Sequence, residues 1–247
     1  MQTVAEDLFG GAAEVLDIAG VVEHLADGDT LTVRSGSRRL RVRMLGMDAP
    51  ELHYRGQSQG PWAEAALRQL RLLAPLGARV RLVTDRQIFD QYGRLLAHVL
   101  RGQRNLNLEM LRAGWAVSYP IYPNVTLLRQ TQAASAAAEA RGFGIFDPRA
   151  PLPLLPYEFR QRVDNRPPAK VCGDARTRRY YPPHEYQRVP VAWRVFFYTE
   201  ADARAFGYVP AITPTALPVE SAAEALVSAA PPAAEMRGLS RLSRRWG

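Results

Sequence analysis

A small, partly open β-barrel with helices packed around it, an α+β fold, is what this sequence predicts. Three observations predict it. Five short strand-like runs lie between Ile18 and Leu100, turn-forming residues separate them, and a helical stretch is inserted after the third run. Five short strands with an inserted helix suit an OB-fold, a five-stranded barrel that presents a face and loops to nucleic acids.

The elements follow in order. Residues 1–17 form an acidic segment with a short possible helix. Ile18 to Ala26 is apolar and β-branched, Asp27-Gly28 marks a turn, and Leu31 to Val33 resumes the extended pattern. After Ser35-Gly36-Ser37, Leu40, Val42 and Met44 alternate with Arg39, Arg41 and Arg43, the period of a half-buried strand. Gly60 to Leu73 reads as a helix with Pro61 in its first turn and one apolar stripe through Trp62, Ala65, Ala66, Leu70 and Leu73. Val80 to Val83 is a strand, 85–94 a loop, and Leu95 to Leu100 the last strand. Leu106 to Arg112 is a short helix stopped at Gly114. Trp115 to Tyr119 is extended. An alanine-rich helix, Leu127 to Arg141, closes at Gly142 and completes a domain of residues 18–146 with three helices.

Prolines at 148, 151, 153 and 156 predict a linker over 147–156, with few contacts crossing it. Residues 157–211 form a small module rich in aromatics and bases. Between Arg160 and Arg194 nine basic residues face three acids. From 212 to 247 the chain is Ala-, Pro- and Ser-rich, the composition of a disordered tail.

Composition narrows the function. Of 247 residues, 47% are hydrophobic and 23% charged, as in globular proteins. No apolar run is long enough to span a membrane. The first twenty residues hold four acids and no base, so no signal peptide is read there. The default location is cytoplasmic, or secreted or envelope-associated if a precursor was trimmed; the chain is expected to be monomeric. One cysteine, Cys172, excludes an internal disulfide and a multi-cysteine zinc site. His24, His53, His98 and His184 show no ligand spacing. The formal net charge of +8 points to a polyanionic partner.

Three short motifs carry chemistry. Each alone reads as an ordinary turn or strand end: Asp27-Gly28-Asp29-Thr30, Arg43 through Asp48-Ala49-Pro50-Glu51, and Asp90-Gln91-Tyr92-Gly93-Arg94. Together they change meaning. Asp29 and Asp48, each at a strand end, would meet at one rim of the barrel, as hard oxygen ligands suited to Ca²⁺. Arg43 and Arg94 would grip a phosphodiester and stabilise charge growing on phosphorus. Glu51 would lie near the metal as a base or water-orienting group.

These motifs, in this order, resemble those of the thermonuclease, or staphylococcal nuclease-like, family over residues 18–146. The resemblance continues through Gly60-Pro61, Leu95-Leu96-Ala97, Asn107, Gly114-Trp115-Ala116 and Gly142 to Gly144-Ile145-Phe146. It implies Ca²⁺ bound by Asp29, Asp48 and the Ala49 backbone carbonyl, with Asp27 orienting metal-bound water from outside. It implies Arg43 and Arg94 as phosphate arginines and Glu51 as the group that positions or deprotonates water. Tyr92 would contact phosphate, and Tyr119 or Tyr122 would stack on a base. The implied activity is calcium-dependent hydrolysis of DNA and RNA, endonucleolytic, leaving 3′-phosphate ends. The alternative is a non-catalytic nucleic-acid-binding barrel. Gln91, Phe146 and Ser135 depart from the family's usual lysine, tryptophan and acid, and none touches the proposed centre.

Residues 171–211 resemble, more loosely, a small module appended to some bacterial nucleases. The positions through which such a module could hold a metal lack their His and Cys here, Tyr181 standing in the His place, so no zinc is expected. Two readings stay open: an aromatic core packed on the barrel, or an accessory nucleic-acid surface using Arg178, Arg179 and stacking aromatics.

Overall fold

The computed structural model describes residues 15–211. The expected N-terminal helix and the tail over 212–247 lie outside the described residues.

Strands β1 (Asp17–Leu25), β2 (Thr30–Ser35) and β3 (Arg38–Met44) form an antiparallel meander. β4 (Met47–Asp48) follows at once, then helix α1 (Pro61–Leu73), β5 (Arg79–Phe89) and β6 (Leu95–Arg101). β1 also pairs with β5, and β5 with β6. A parallel pairing of β3 with β6 closes the barrel of five strands. The inward residues of those strands, among them Val22, Leu31, Val33, Val42, Met44, Leu82, Leu95 and Val99, are buried and make the main core. Alternation in the sequence thus translates directly into an inside and an outside.

The helices pack their apolar residues onto the barrel core. α1 buries Ala63, Ala66, Leu70 and Leu73, one stripe at helical spacing. β7 (Arg104–Asn105) leads into α2 (Leu106–Arg112), whose first turn is capped by the Asn105 side chain accepting from Leu108 N. Buried Asn107 fastens α2 to the barrel: its Nδ2 donates to Leu45 O at 2.9 Å and its Oδ1 accepts from Val99 N at 2.9 Å. The chain then passes through β8 (Val117–Ser118), paired with β4, to α3 (Leu128–Ala140).

One barrel strand is longer than the sequence suggested. β5 runs on to Phe89, through an irregularity after Thr84, rather than ending near Val83. Side chains hold this stretch. Asp85 accepts from Thr126 N and Oγ1, and Asn124 exchanges hydrogen bonds with the backbone of Gln87 at 2.7 and 2.9 Å.

The larger difference concerns the segment after 146. Pro156 is not the end of a spacer; it is the first residue of helix α4 (Pro156–Val163), a position where its missing N–H costs nothing. Beyond it lie β9 (Val171–Asp174), β10 (Arg179–Tyr181), β11 (Arg194–Phe197), α5 (Glu200–Ala205) and β12 (Val209–Pro210). The strands form a small sheet in the order β11-β9-β10-β12. One of its faces belongs to a core with Val171, Val195, Phe197 and Tyr208, against which Tyr122, Val125 and Leu128 of the barrel domain also pack. The other belongs to a core shared with the barrel, where Tyr157, Cys172, Tyr186 and Phe196 pack with Val117 and Ile145. The expectation of few contacts across 147–156 is therefore corrected: apolar side chains on both sides of that stretch bury one another.

Candidate active site

The site is built where β2, β3 and β4 meet. The Asp27–Thr30 turn must lie close to the chain after β4, because a Cβ on Gly28 would come within 2.7 Å of the Ala49 Cβ and 2.8 Å of the Ala66 Cβ. Asp27 shapes the turn by accepting from Asp29 N at 3.0 Å. Asp29 then reaches across the gap: its Oδ2 accepts from Ala49 N at 2.8 Å and its Oδ1 from the Thr30 hydroxyl at 3.0 Å. β4 delivers Asp48, which is fully buried.

Arg43, the penultimate residue of β3, bridges the two acids. Its Nη2 donates to Asp48 Oδ1 at 2.6 Å, and its Nη1 lies 3.1 Å from Asp29 Oδ2. Nη1 also donates to the carbonyls of Met44 and Met47 at 3.0 and 2.9 Å. Arg160, from α4, completes the cluster. Its Nη1 donates to Asp48 Oδ1 at 3.0 Å and its Nη2 to Asp48 Oδ2 at 2.9 Å, while Nη1 also donates to Glu51 Oε1. This is the fork geometry in which a guanidinium matches a carboxylate.

The segment carrying Glu51 is tied down around it. Glu51 N donates to Gln59 Oε1 at 3.0 Å, and Gln59 Nε2 donates to Leu154 O at 2.8 Å. Further along, Tyr54 Oη donates to Asp164 Oδ2 at 2.7 Å and Arg55 pairs with the same carboxylate. The Glu51 segment and α4 are thus fastened at both ends of the helix.

Electrostatics follow from this packing. Burial pushes the Asp27 carboxyl well above its ordinary value, and the neighbouring Asp29 charge adds to the effect. Burial also raises Glu51, although Arg160 opposes it. For Asp29 burial is outweighed by the Arg43 guanidinium and the Ala49 N–H, so its carboxyl is held below the usual range. The guanidiniums of Arg43 and Arg160 are penalised by burial but stabilised more by the acids they face, so both are raised.

The structure therefore brings together Asp27, Asp29, Arg43, Asp48, Ala49 and Glu51. Arg94 stands at the start of β6, which runs beside β3, and its Nε pairs with Asp90 at 2.7 Å rather than with the acid cluster. Asp90 shapes that turn by accepting from Tyr92 N and Arg94 N, each at 2.9 Å. Tyr92 is 67% exposed, with the Arg94 guanidinium 5.6 Å from its ring centre. Tyr119 and Tyr122 are placed differently from a free stacking surface. Tyr119 packs on Tyr157 and Phe196, and Tyr122 on Phe197 and Phe206. Burial pushes the Tyr119 hydroxyl up to about 12.

Arg160 is the site residue that the motifs missed. Its signal was present in the sequence as Pro156 followed by Glu158 and two arginines, the start of a helix rather than the end of a linker. Arg178 and Arg179, the basic pair of the accessory-surface reading, are engaged within the module. Arg178 lies 4.3 Å from the Tyr208 ring centre and donates to Phe206 O, and Arg179 donates to Pro210 O at 3.3 Å. Among the described residues no three His, Cys, Asp or Glu side chains converge into a metal cage, so a cation here would take two carboxylates and complete its shell with carbonyl and water oxygens.

A five-stranded barrel with buried acids and arginines at one rim defines a protein of the OB-fold class. The chain belongs to the family of staphylococcal nuclease homologues, whose family model matches residues 41–147. It is 32% identical over 144 residues to an uncharacterized endonuclease of Haemophilus influenzae, covering 58% of this chain and 74% of that protein. It is 29% identical over 127 residues to the thermonuclease of Staphylococcus intermedius, covering 51% and 75%. With Endonuclease YhcR of Bacillus subtilis it shares 30% identity over 198 residues, or 76% of this chain but only 16% of that much longer protein. That last alignment is longer than the 41–147 span, so part of it lies outside the family domain.

Proposed function

We propose that this chain is a calcium-dependent nuclease that hydrolyses phosphodiester bonds of DNA and RNA, cutting within the chain and leaving 3′-phosphate ends. The observation that carries the reading is the charge balance at the rim. Four acids, Asp27, Asp29, Asp48 and Glu51, face two arginines, Arg43 and Arg160. With all four acids ionised, the surplus of two negative charges matches one divalent cation. Hard carboxylate and carbonyl oxygens in a site that needs no strict octahedron favour Ca²⁺ over Mg²⁺.

Asp29 and Asp48 would hold the cation with the Ala49 carbonyl, and Asp27 would orient its water. When bound, the cation supplies Lewis-acid stabilisation of charge on the phosphate oxygens. The residues do the rest. Glu51, when ionised, accepts a proton from the attacking water as its oxygen bonds to phosphorus. The bond from phosphorus to the 5′-oxygen breaks in line, and that oxygen takes a proton from solvent water, to which Glu51 returns the proton it accepted. Arg43 and Arg94 neutralise charge on the equatorial oxygens, where a planar fork does more than a point charge. Tyr92, exposed beside Arg94, would touch the same phosphate.

The test is digestion of plasmid DNA and of RNA with Ca²⁺ or with a calcium-selective chelator, using Asp48→Asn as control. Cleavage with Ca²⁺ alone, lost in the variant, is the expected result. Binding without cleavage under any divalent cation would instead support the non-catalytic barrel.

A further inference from the structure

Arg160 comes from outside the span that the family domain covers, yet it donates to both oxygens of Asp48. A carboxylate offers about four acceptor positions on two oxygens. Arg43 takes one on Oδ1, and the Arg160 fork takes one on each oxygen. Asp48 has no exposure to water, so a cation arriving there finds three of those positions taken and two guanidinium charges already in place. Two like charges on one buried carboxylate repel strongly, because little solvent screens them.

We propose that Arg160 is an internal counter-cation of Asp48 that competes with the divalent cation, so that α4 sets the metal affinity of the site. The inference rests on the divalent-cation reading above. Glu51 makes the exchange feasible, since Arg160 Nη1 also donates to Glu51 Oε1 and keeps that partner if Asp48 is taken. The exchange is made by the side chain and not by the helix. α4 is held in place at Gln59 and Leu154 on one side and at Tyr54, Arg55 and Asp164 on the other. Competition of this kind is reciprocal: whatever strengthens the Arg160 fork weakens the cation, and the cation loosens the fork to the same degree. The module after residue 146 thereby sets the calcium concentration at which the site fills.

The experiment is calorimetric titration of the full chain with Ca²⁺ alone at fixed ionic strength. Arg160→Gln and Arg160→Ala should tighten the calcium Kd about tenfold, inside the roughly 5–150-fold range of such couplings. Arg162→Ala removes the same charge from an exposed position of the same helix and should leave Kd unchanged. Asp48→Asn should abolish binding. Equal or weaker binding by the Arg160 variants overturns the inference while leaving the metal reading intact, and so does equal tightening by Arg162→Ala, which would mark a general charge effect. If neither the unaltered chain nor any variant binds Ca²⁺, the metal reading falls and takes this inference with it. Thermal melts without Ca²⁺ check folding. Should Arg160→Ala and Arg160→Gln fail to fold, Arg160→Lys decides: it keeps the charge but loses the fork, and must still tighten Kd, by a smaller factor.

Discussion

Tyr119, just after β8, lies face to face with Tyr157 of α4, ring centroids 4.9 Å apart and planes 14° from parallel. Phe196 closes on both rings, at 4.7 Å from Tyr119 and 5.4 Å from Tyr157. Barrel and module therefore share one aromatic cluster directly behind the Arg160–Asp48 contact. Tyr157→Ala should cost about 3–5 kcal/mol, the usual loss for a large buried aromatic. Removing residues 157–247 altogether should leave a barrel that is insoluble or far less stable, because Val117 and Ile145 would lose their cover. Chemical denaturation of the point variant and solubility of the truncation are the measurements. A truncated protein that is soluble and melts like the full chain would show that the shared core contributes nothing.

The two arginines proposed to grip phosphate, Arg43 and Arg94, should differ in their effect on stability. Arg43 holds two buried acids and two carbonyls, so Arg43→Ala leaves charges unpaired and should lower stability by about 3–5 kcal/mol. Arg94 pairs with the partly exposed Asp90 and lies over the exposed Tyr92 ring, so Arg94→Ala should cost less than about 1 kcal/mol. Both should lower kcat at least about 10²-fold, as loss of one charge-stabilising donor does. Denaturation midpoints beside single-turnover rates separate the effects. Near-normal turnover in Arg94→Ala would remove that residue from the mechanism.

The barrel and most of its rim could be read from the chain, and the reasons are local. Alternating apolar and polar residues define β3, Asp-Gly defines the turn before β2, and the apolar stripe defines α1. Asp29 precedes β2 and Arg43 lies near the end of β3, so placing those strands placed them too, whereas Asp48 and Glu51, in β4 and just after it, were marked by the Asp48-Ala49-Pro50-Glu51 motif. What escaped was set by distant partners. β5 extends because Asp85 and Gln87 meet Thr126 and Asn124, about forty residues on. α4 is a polar helix of eight residues with prolines before it, and nothing local shows that its Arg160 faces Asp48, 112 positions earlier in the chain.

His98 should make stability depend on pH. It is buried in β6 with its Nδ1 unpartnered. Burial lowers it from 6.5 to about 4, partly opposed by Asp85. A histidine lowered on folding takes up its proton more readily in the unfolded chain. Stability from this group is therefore complete above about pH 6.5 and falls as pH drops toward about 4, by an amount on the order of 3 kcal/mol. His98→Leu should flatten that part of the curve in denaturation series. An unchanged slope in the variant would assign the acid sensitivity to other groups.

Gly28→Ala tests whether the close approach at the turn holds the site together. The added methyl would meet the Cβ atoms of Ala49 and Ala66 at 2.7 and 2.8 Å, and both are fixed directly to backbone rather than at the end of a flexible side chain. The Asp27–Thr30 turn must therefore move away from the chain after β4 and from α1. That movement stretches the bond from Ala49 N to Asp29 Oδ2, now 2.8 Å, which is the link between the two acids' elements. Overpacking of this kind costs about 1–3 kcal/mol. The larger effect should fall on calcium affinity and turnover, because separating Asp29 from Asp48 disturbs both carboxylates at once. A variant that is destabilised but binds Ca²⁺ normally would mean that the turn supports the fold without setting the spacing of the acids. A variant unchanged in both would mean that the contact at Gly28 relaxes without consequence.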